Sequence, residues 1–95
     1  MKGPSMDPQL WSREMAGVVR YHRKRAGLTR IELARLAGIG KTAVFDIEHG
    51  KTTVRMATLL RVLSVLNVTL EWRSPLAEAF ARERSEEPSV ERSDA

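Results

Sequence analysis

Between Thr29 and Glu48 the chain sets hydrogen-bond donors at the starts of two short segments of helical periodicity. Gly40, Lys41 and Thr42 lead the second segment out of the Gly38-Ile39-Gly40 turn, with Phe45 and Asp46 one helical turn later, and these five are candidate contacts to a ligand at that end. A lysine ammonium at the leading end of a helix can donate to the O6 and N7 acceptors of guanine. A threonine there can serve a base or a phosphate through its hydroxyl, and a thymine methyl through its own methyl. Phe45 can touch thymine methyls or pack against the other helices. Arg30, heading the preceding segment, is a candidate phosphate contact, because backbone N–H groups at a helix start already favour anions. Lys51 and Thr52, just past the second segment, are candidates too; Arg20 and Arg23-Lys24-Arg25 are more diffuse ones. Arg23 and Glu48 can play another part, pairing to lock the first helix to the end of the third, an arrangement that orients more than it stabilises.

Other chemistries find no matching pattern. Gly40-Lys41-Thr42 resembles the end of a phosphate-binding loop, but the glycine required five residues earlier is Arg35. His22 and His49 are far apart, with no carboxylates at metal-ligand spacing, so no metal site is expected. No Ser–His–Asp set can be argued, and neither catalytic residues nor a cofactor is expected. Asn67-Val68-Thr69 matches a glycosylation sequon that has no meaning in a cytoplasmic chain.

The elements that must position these residues can be read from local signals. Residues 1–9, with two prolines and a glycine, read as a flexible arm. A helix is expected from about Leu10, with Met15, Val18, Val19 and His22 on its buried face. Arg13, Arg20 and Lys24 lie opposite, with Arg23 at the edge, and Gly27 stops the helix. Thr29 and Glu32 form a capping box that starts a second helix, whose apolar side is Ile31, Leu33, Ala34 and Ala37. Gly38 ends it, and small Ala34 permits close helix approach. A third helix is expected over Lys41–Glu48, with Val44 and Ile47 inward, closed by His49-Gly50. A fourth runs from about Arg55 to Leu66, with Leu59, Leu60, Val62, Leu63 and Leu66 apolar. Val68 to Trp72 then alternates apolar and polar residues, the signature of one short strand. A lone strand needs a ladder partner, and no second strand is evident, so its partner is expected to be another copy of the chain. Residues 10–73 thus make one domain. Residues 74–95 make an acidic, largely disordered tail, in which Ser74-Pro75 could start a short helix with Leu76 and Phe80 on one face.

Composition agrees with one small domain of 95 residues. There is no cysteine, and no apolar run approaches the ~18 residues that span a bilayer, so a cytoplasmic protein with no membrane partner is expected. The net charge of +4 is unevenly spread. Residues 1–55 carry 11 Lys and Arg against 5 Asp and Glu, whereas residues 56–95 carry 5 against 7. A basic front half attracts polyanions, of which the nucleic-acid backbone is the usual one.

The stretches Gly27-Leu28-Thr29-Arg30-Ile31-Glu32-Leu33-Ala34, Ala37-Gly38-Ile39, Val44, Ile47-Glu48-His49-Gly50-Lys51 and Thr58-Leu59-Leu60 resemble the Cro/C1-type (Xre) helix-turn-helix family over about residues 12–68. The resemblance implies a mainly α, compact, lambda-repressor-like DNA-binding domain of four to five helices. It also implies an Arg23–Glu48 ion pair. A nearer resemblance is to HipB-like antitoxins, on the junction Leu66-Asn67-Val68-Thr69-Leu70. That resemblance implies one C-terminal β-strand pairing across a homodimer through Val68, Leu70 and Trp72. It further implies operator DNA as ligand, repression of the protein's own operon, and a HipA-like serine/threonine kinase toxin as partner; a solo or phage-type repressor is the alternative. The chain departs from the family pattern in Arg30, where glutamine is frequent, in Gly40, where serine or threonine caps the third helix, and in Phe45.

Overall fold

The computed structural model describes residues 6–86. These form five helices: α1 (Pro8–Arg25), α2 (Arg30–Ala37), α3 (Lys41–Glu48), α4 (Met56–Val65) and α5 (Ala77–Glu86). α1 starts two residues earlier than its apolar pattern suggests. The Asp7 side chain accepts from Gln9 N at 3.1 Å and Pro8 takes the first helical position, where its missing N–H costs nothing. Pro8 and Gln9 therefore belong to the helix rather than to an arm. In α2 the capping box closes as expected: Glu32 N donates to Thr29 Oγ1 at 3.0 Å, and Thr29 N donates to Glu32 Oε1 at 2.8 Å.

The first four helices end by one device. In each, an amide beyond the helix end donates back to a carbonyl of the last turn: Leu28 to Arg23, Ile39 to Ala34, Lys51 to Asp46 and Val68 to Leu63, at 2.9–3.1 Å. The residue before the donor must adopt positive φ to make this reversal. Gly38 (φ 71°) does so between α2 and α3, and Asn67 (φ 61°) does so after α4. Asparagine is among the few side-chain-bearing residues that tolerate this region.

α3 is central, packing against α1, α2 and α4, and α4 also packs on α2. The core is aliphatic: Val19 of α1, Leu33 of α2, Val44 of α3 and Val62 of α4 are completely buried. Ala34 and Ala37, also buried, let α2 come close to its neighbours. Three apolar positions expected inward depart from that reading. Ile31 and Leu60 are exposed, and His22 is half-buried with its Nδ1 2.7 Å from Val18 O. Each lies toward the margin of its helix's apolar stripe.

The short strand expected at Val68–Trp72 is not formed. Residues 68–74 have no regular structure, and among the described residues no backbone hydrogen bond joins residues 69–73 to the rest of the chain. A strand exists only through its ladder, and one chain supplies no partner. Within the segment expected to be a largely disordered tail, the described part includes α5. Ser74 Oγ accepts from Leu76 N at 3.1 Å, and Trp72 packs edge-on against Phe80 with ring centroids 5.6 Å apart. Residues 1–5 and 87–95 lie outside the described part. Among the described residues, no helix is long and apolar enough to cross a membrane.

Candidate nucleic-acid interface

The leading ends of α2 and α3 stand side by side. Between them lies an open hollow of about 630 Å³, lined by Leu28, Arg30, Ile31, Lys41, Thr42 and Phe45 among others. This juxtaposition follows from the Gly38-Ile39-Gly40 turn, which folds α3 back across α2 so that Leu33 and Ala34 meet Val44 and Ile47 in the core. With Val44 and Ile47 inward, residues 42 and 45 turn away from the core by helical period, whereas Lys41, three before Val44, is exposed because it stands at the free first position of the helix. Lys41 and Thr42 are indeed exposed at the first two helical positions, with Gly40 as a cap that offers no side-chain bond. Ala43 N donates to Gly40 O at 3.1 Å, and Gly40 brings no side-chain acceptor for the amides at this end.

Behind the hollow lies a network of charges centred on Glu48. Its carboxylate is completely buried and accepts from Arg23 Nε at 2.6 Å and Arg23 Nη2 at 3.1 Å, a two-pronged pair. Arg23, expected at the edge of the exposed face of α1, is in fact 8% exposed: it lies four residues after Val19 and seven after Ala16, on the buried face of that helix. Its Nη1 also donates to Leu28 O at 3.0 Å. Arg30 Nε is a third donor to Glu48, at 3.0 Å. Burial alone raises the Glu48 pKa, but the hydrogen bonds and positive charges of Arg23 and Arg30 outweigh it, and the net shift is downward. The carboxylate thus stays ionised and holds two arginines from two helices in fixed positions.

Arg30 is accordingly tied to the interior at one nitrogen while its side chain remains 43% exposed. A guanidinium has five N–H donors, so an outer edge is left for an anion. The other candidates divide. Lys51 Nζ lies 3.4 Å from Asp46 Oδ2, so these two residues answer each other across the end of α3. Thr52 is exposed beyond them. Arg20, an exposed residue of α1, donates to Glu48 O at 2.7 Å at the C-terminal end of α3. Phe45, which could have been buried, is 47% exposed and stacks on His49 at 3.8 Å between ring centroids. Of the strand residues, Val68 packs on the core, whereas Leu70 and Trp72 are exposed. The Arg23–Glu48 pair was legible from residue types and helix order. The Arg30 and Arg20 contacts were not, since no local pattern links them to Glu48.

Comparison with known proteins adds to this geometry. A family model described as helix-turn-helix matches residues 19–73. A protein of Sinorhizobium fredii (strain NBRC 101917 / NGR234), described as "Uncharacterized HTH-type transcriptional regulator y4mF", is 34% identical over 62 residues, covering 65% of this chain and 82% of that one. A solved structure described as "MDT Protein" has a similar fold, with a TM-score of 0.62 at 20% identity, covering 79% of this chain and 97% of the other.

Proposed function

The chain belongs to the Cro/C1-type (Xre) helix-turn-helix family, and from that membership we propose that it is a DNA-binding transcriptional regulator whose α3 enters the major groove. The observation that carries this reading is the exposed Lys41-Thr42 pair at the leading end of α3, flanked by Arg30 at the leading end of α2. In this motif the N-terminal residues of the second helix meet base edges, while groups at the start of the first meet the backbone. Lys41 and Thr42 are assigned to bases. Arg30, the Gly40 backbone, Lys51 and Thr52 are assigned to phosphates, with Asp46 orienting Lys51.

The experiment is a gel shift of the full chain on duplexes selected from a random-sequence library, across a salt series. Arg30→Ala should weaken binding to selected and scrambled duplexes alike, and should lower the slope of log affinity against log salt by about one. An unchanged slope would remove Arg30 from the phosphate contacts. Failure to select any sequence would overturn sequence-specific reading.

The regulator is assigned as a homodimer, joined by residues 68–72 through antiparallel pairing with the same segment of a second copy. Its support is the segment after Asn67, which has no regular structure, leaves Leu70 and Trp72 exposed and, among the described residues, makes no backbone hydrogen bond from residues 69–73 to the rest of the chain. Leu70→Pro removes a ladder donor. The variant is expected to sediment as a monomer, and an unchanged dimer would refute the strand pairing. The finer reading, an antitoxin that restrains a HipA-like serine/threonine kinase, rests on the resemblance of residues 66–70. It is tested by whether such a kinase co-purifies from the native host.

A further inference from the structure

We infer that Phe45 is a specificity-determining residue that selects the C5-methyl of thymine in the recognised site. The inference rests on the DNA-reading assignment of α3 and deepens it.

The hollow between α2 and α3 has two kinds of wall. Its lining joins a polar set that includes Arg30, Lys41 and Thr42 to an apolar set of Phe45, Ile31 and Leu28. Phe45 and Ile31 are 47% and 51% exposed, large apolar side chains on the face where the cationic donors converge. Core packing does not explain their exposure, because Val44 and Ile47 already fill the inward positions of α3. The cationic groups draw a phosphate-bearing duplex toward the apolar ones. Among the groups that B-form DNA presents in its major groove, the thymine methyl is the apolar one. An apolar surface without donors or acceptors discriminates in favour of that group and against an edge that needs a hydrogen bond.

Phe45 is also held in place before any ligand arrives. Its ring stacks on His49 at 3.8 Å and 23° between planes, and His49 Nδ1 lies 2.8 Å from Phe45 O. On another side the Arg30 guanidinium carbon lies 5.8 Å from the ring centroid, with Arg30 itself fixed by Glu48. A ring fixed from two directions presents one surface at one height, which selection at a single base step requires.

The test uses duplexes selected from a random-sequence library by the full chain. Each thymine of the selected site is replaced in turn by deoxyuridine, which removes the methyl and leaves every hydrogen-bonding group. At one or more positions this should weaken wild-type binding by about fourfold, the value of one buried methyl-sized group. For Phe45→Ala the same replacement should change nothing, while Phe45→Leu retains part of the effect. Circular dichroism checks that both variants fold. If every uracil duplex binds the wild type as the thymine duplex does, methyl selection is overturned while DNA reading by α3 stands. If the penalty persists in Phe45→Ala, another residue makes the contact and the assignment to Phe45 falls. A library that yields no enriched sequence overturns the DNA-reading assignment, and this inference with it.

Discussion

Glu48→Ala should lower the free energy of unfolding by about 3–5 kcal/mol, the range found when one member of a buried ion pair is removed. The carboxylate is fully buried and meets three guanidinium nitrogens, two from Arg23 and one from Arg30. Without it, Arg23 keeps its charge in an environment where it is 8% exposed, with the Leu28 carbonyl as its remaining neighbour in the network. The loss is read from urea titration of wild type and variant. A companion separates the pair's worth from the cost of orphaning one side. Arg23→Met with Glu48→Leu replaces both charges by apolar groups, and it should be markedly less destabilised than Glu48→Ala alone. A double variant as unstable as the single one would mean that the ion pair itself is a large net stabiliser.

The same carboxylate gives stability a pH dependence of fixed sign. Burial pushes the Glu48 pKa up, but its hydrogen bonds and charge contacts with Arg23 and Arg30 bring the net value below that of an ordinary glutamate. In the unfolded chain Glu48 takes up its proton near the ordinary value of about 4.3. Its contribution is therefore complete above that value and is lost as pH falls through the lower, folded value. In Glu48→Gln this dependence disappears. The gap in stability between wild type and Glu48→Gln should be widest near neutrality and close on acidification below about pH 4. A gap that is constant with pH would contradict the ionised, arginine-bound state.

Lys41→Ala should weaken binding to a selected duplex by about 1–3 kcal/mol, roughly 5- to 150-fold, and relax base preference at one position. Lys41 is the first residue of α3, exposed, and beside a glycine cap that adds no bulk. Nothing in the core depends on its side chain, so the thermal midpoint should not move. The pattern across sequences distinguishes its two possible partners. A base contact makes the loss greatest on the selected site, whereas a phosphate contact weakens all duplexes equally. Arg82→Ala, on the exposed α5, serves as a charge-matched control that should bind as wild type does. If Lys41→Ala and Thr42→Ala both bound normally, α3 would not be the reading element.

Local sequence signals account for much of this protein. The starts and stops of α2 and α3 were legible because each depends on residues within a few positions: the Thr29–Glu32 box, the left-handed Gly38 and the turn at Gly50. The residues at the head of α3 followed from those boundaries, and so did the prospect that Arg23 could meet Glu48. Tertiary structure decided what lies on the far side of each side chain. Arg30 bridges to Glu48 because α2 and α3 pack at one relative placement, which no spacing between positions 30 and 48 encodes. Phe45 stays outside because Val44 and Ile47 already fill the space beneath α3, and His49 provides its stacking partner. The alternation at Val68–Trp72 is a capacity for strand, and the chain alone does not realise it, because a ladder is a property of two segments. Caps and turns are local interactions and can be read along the chain; burial, ion pairing and sheet formation depend on distances that exist only after the helices have met.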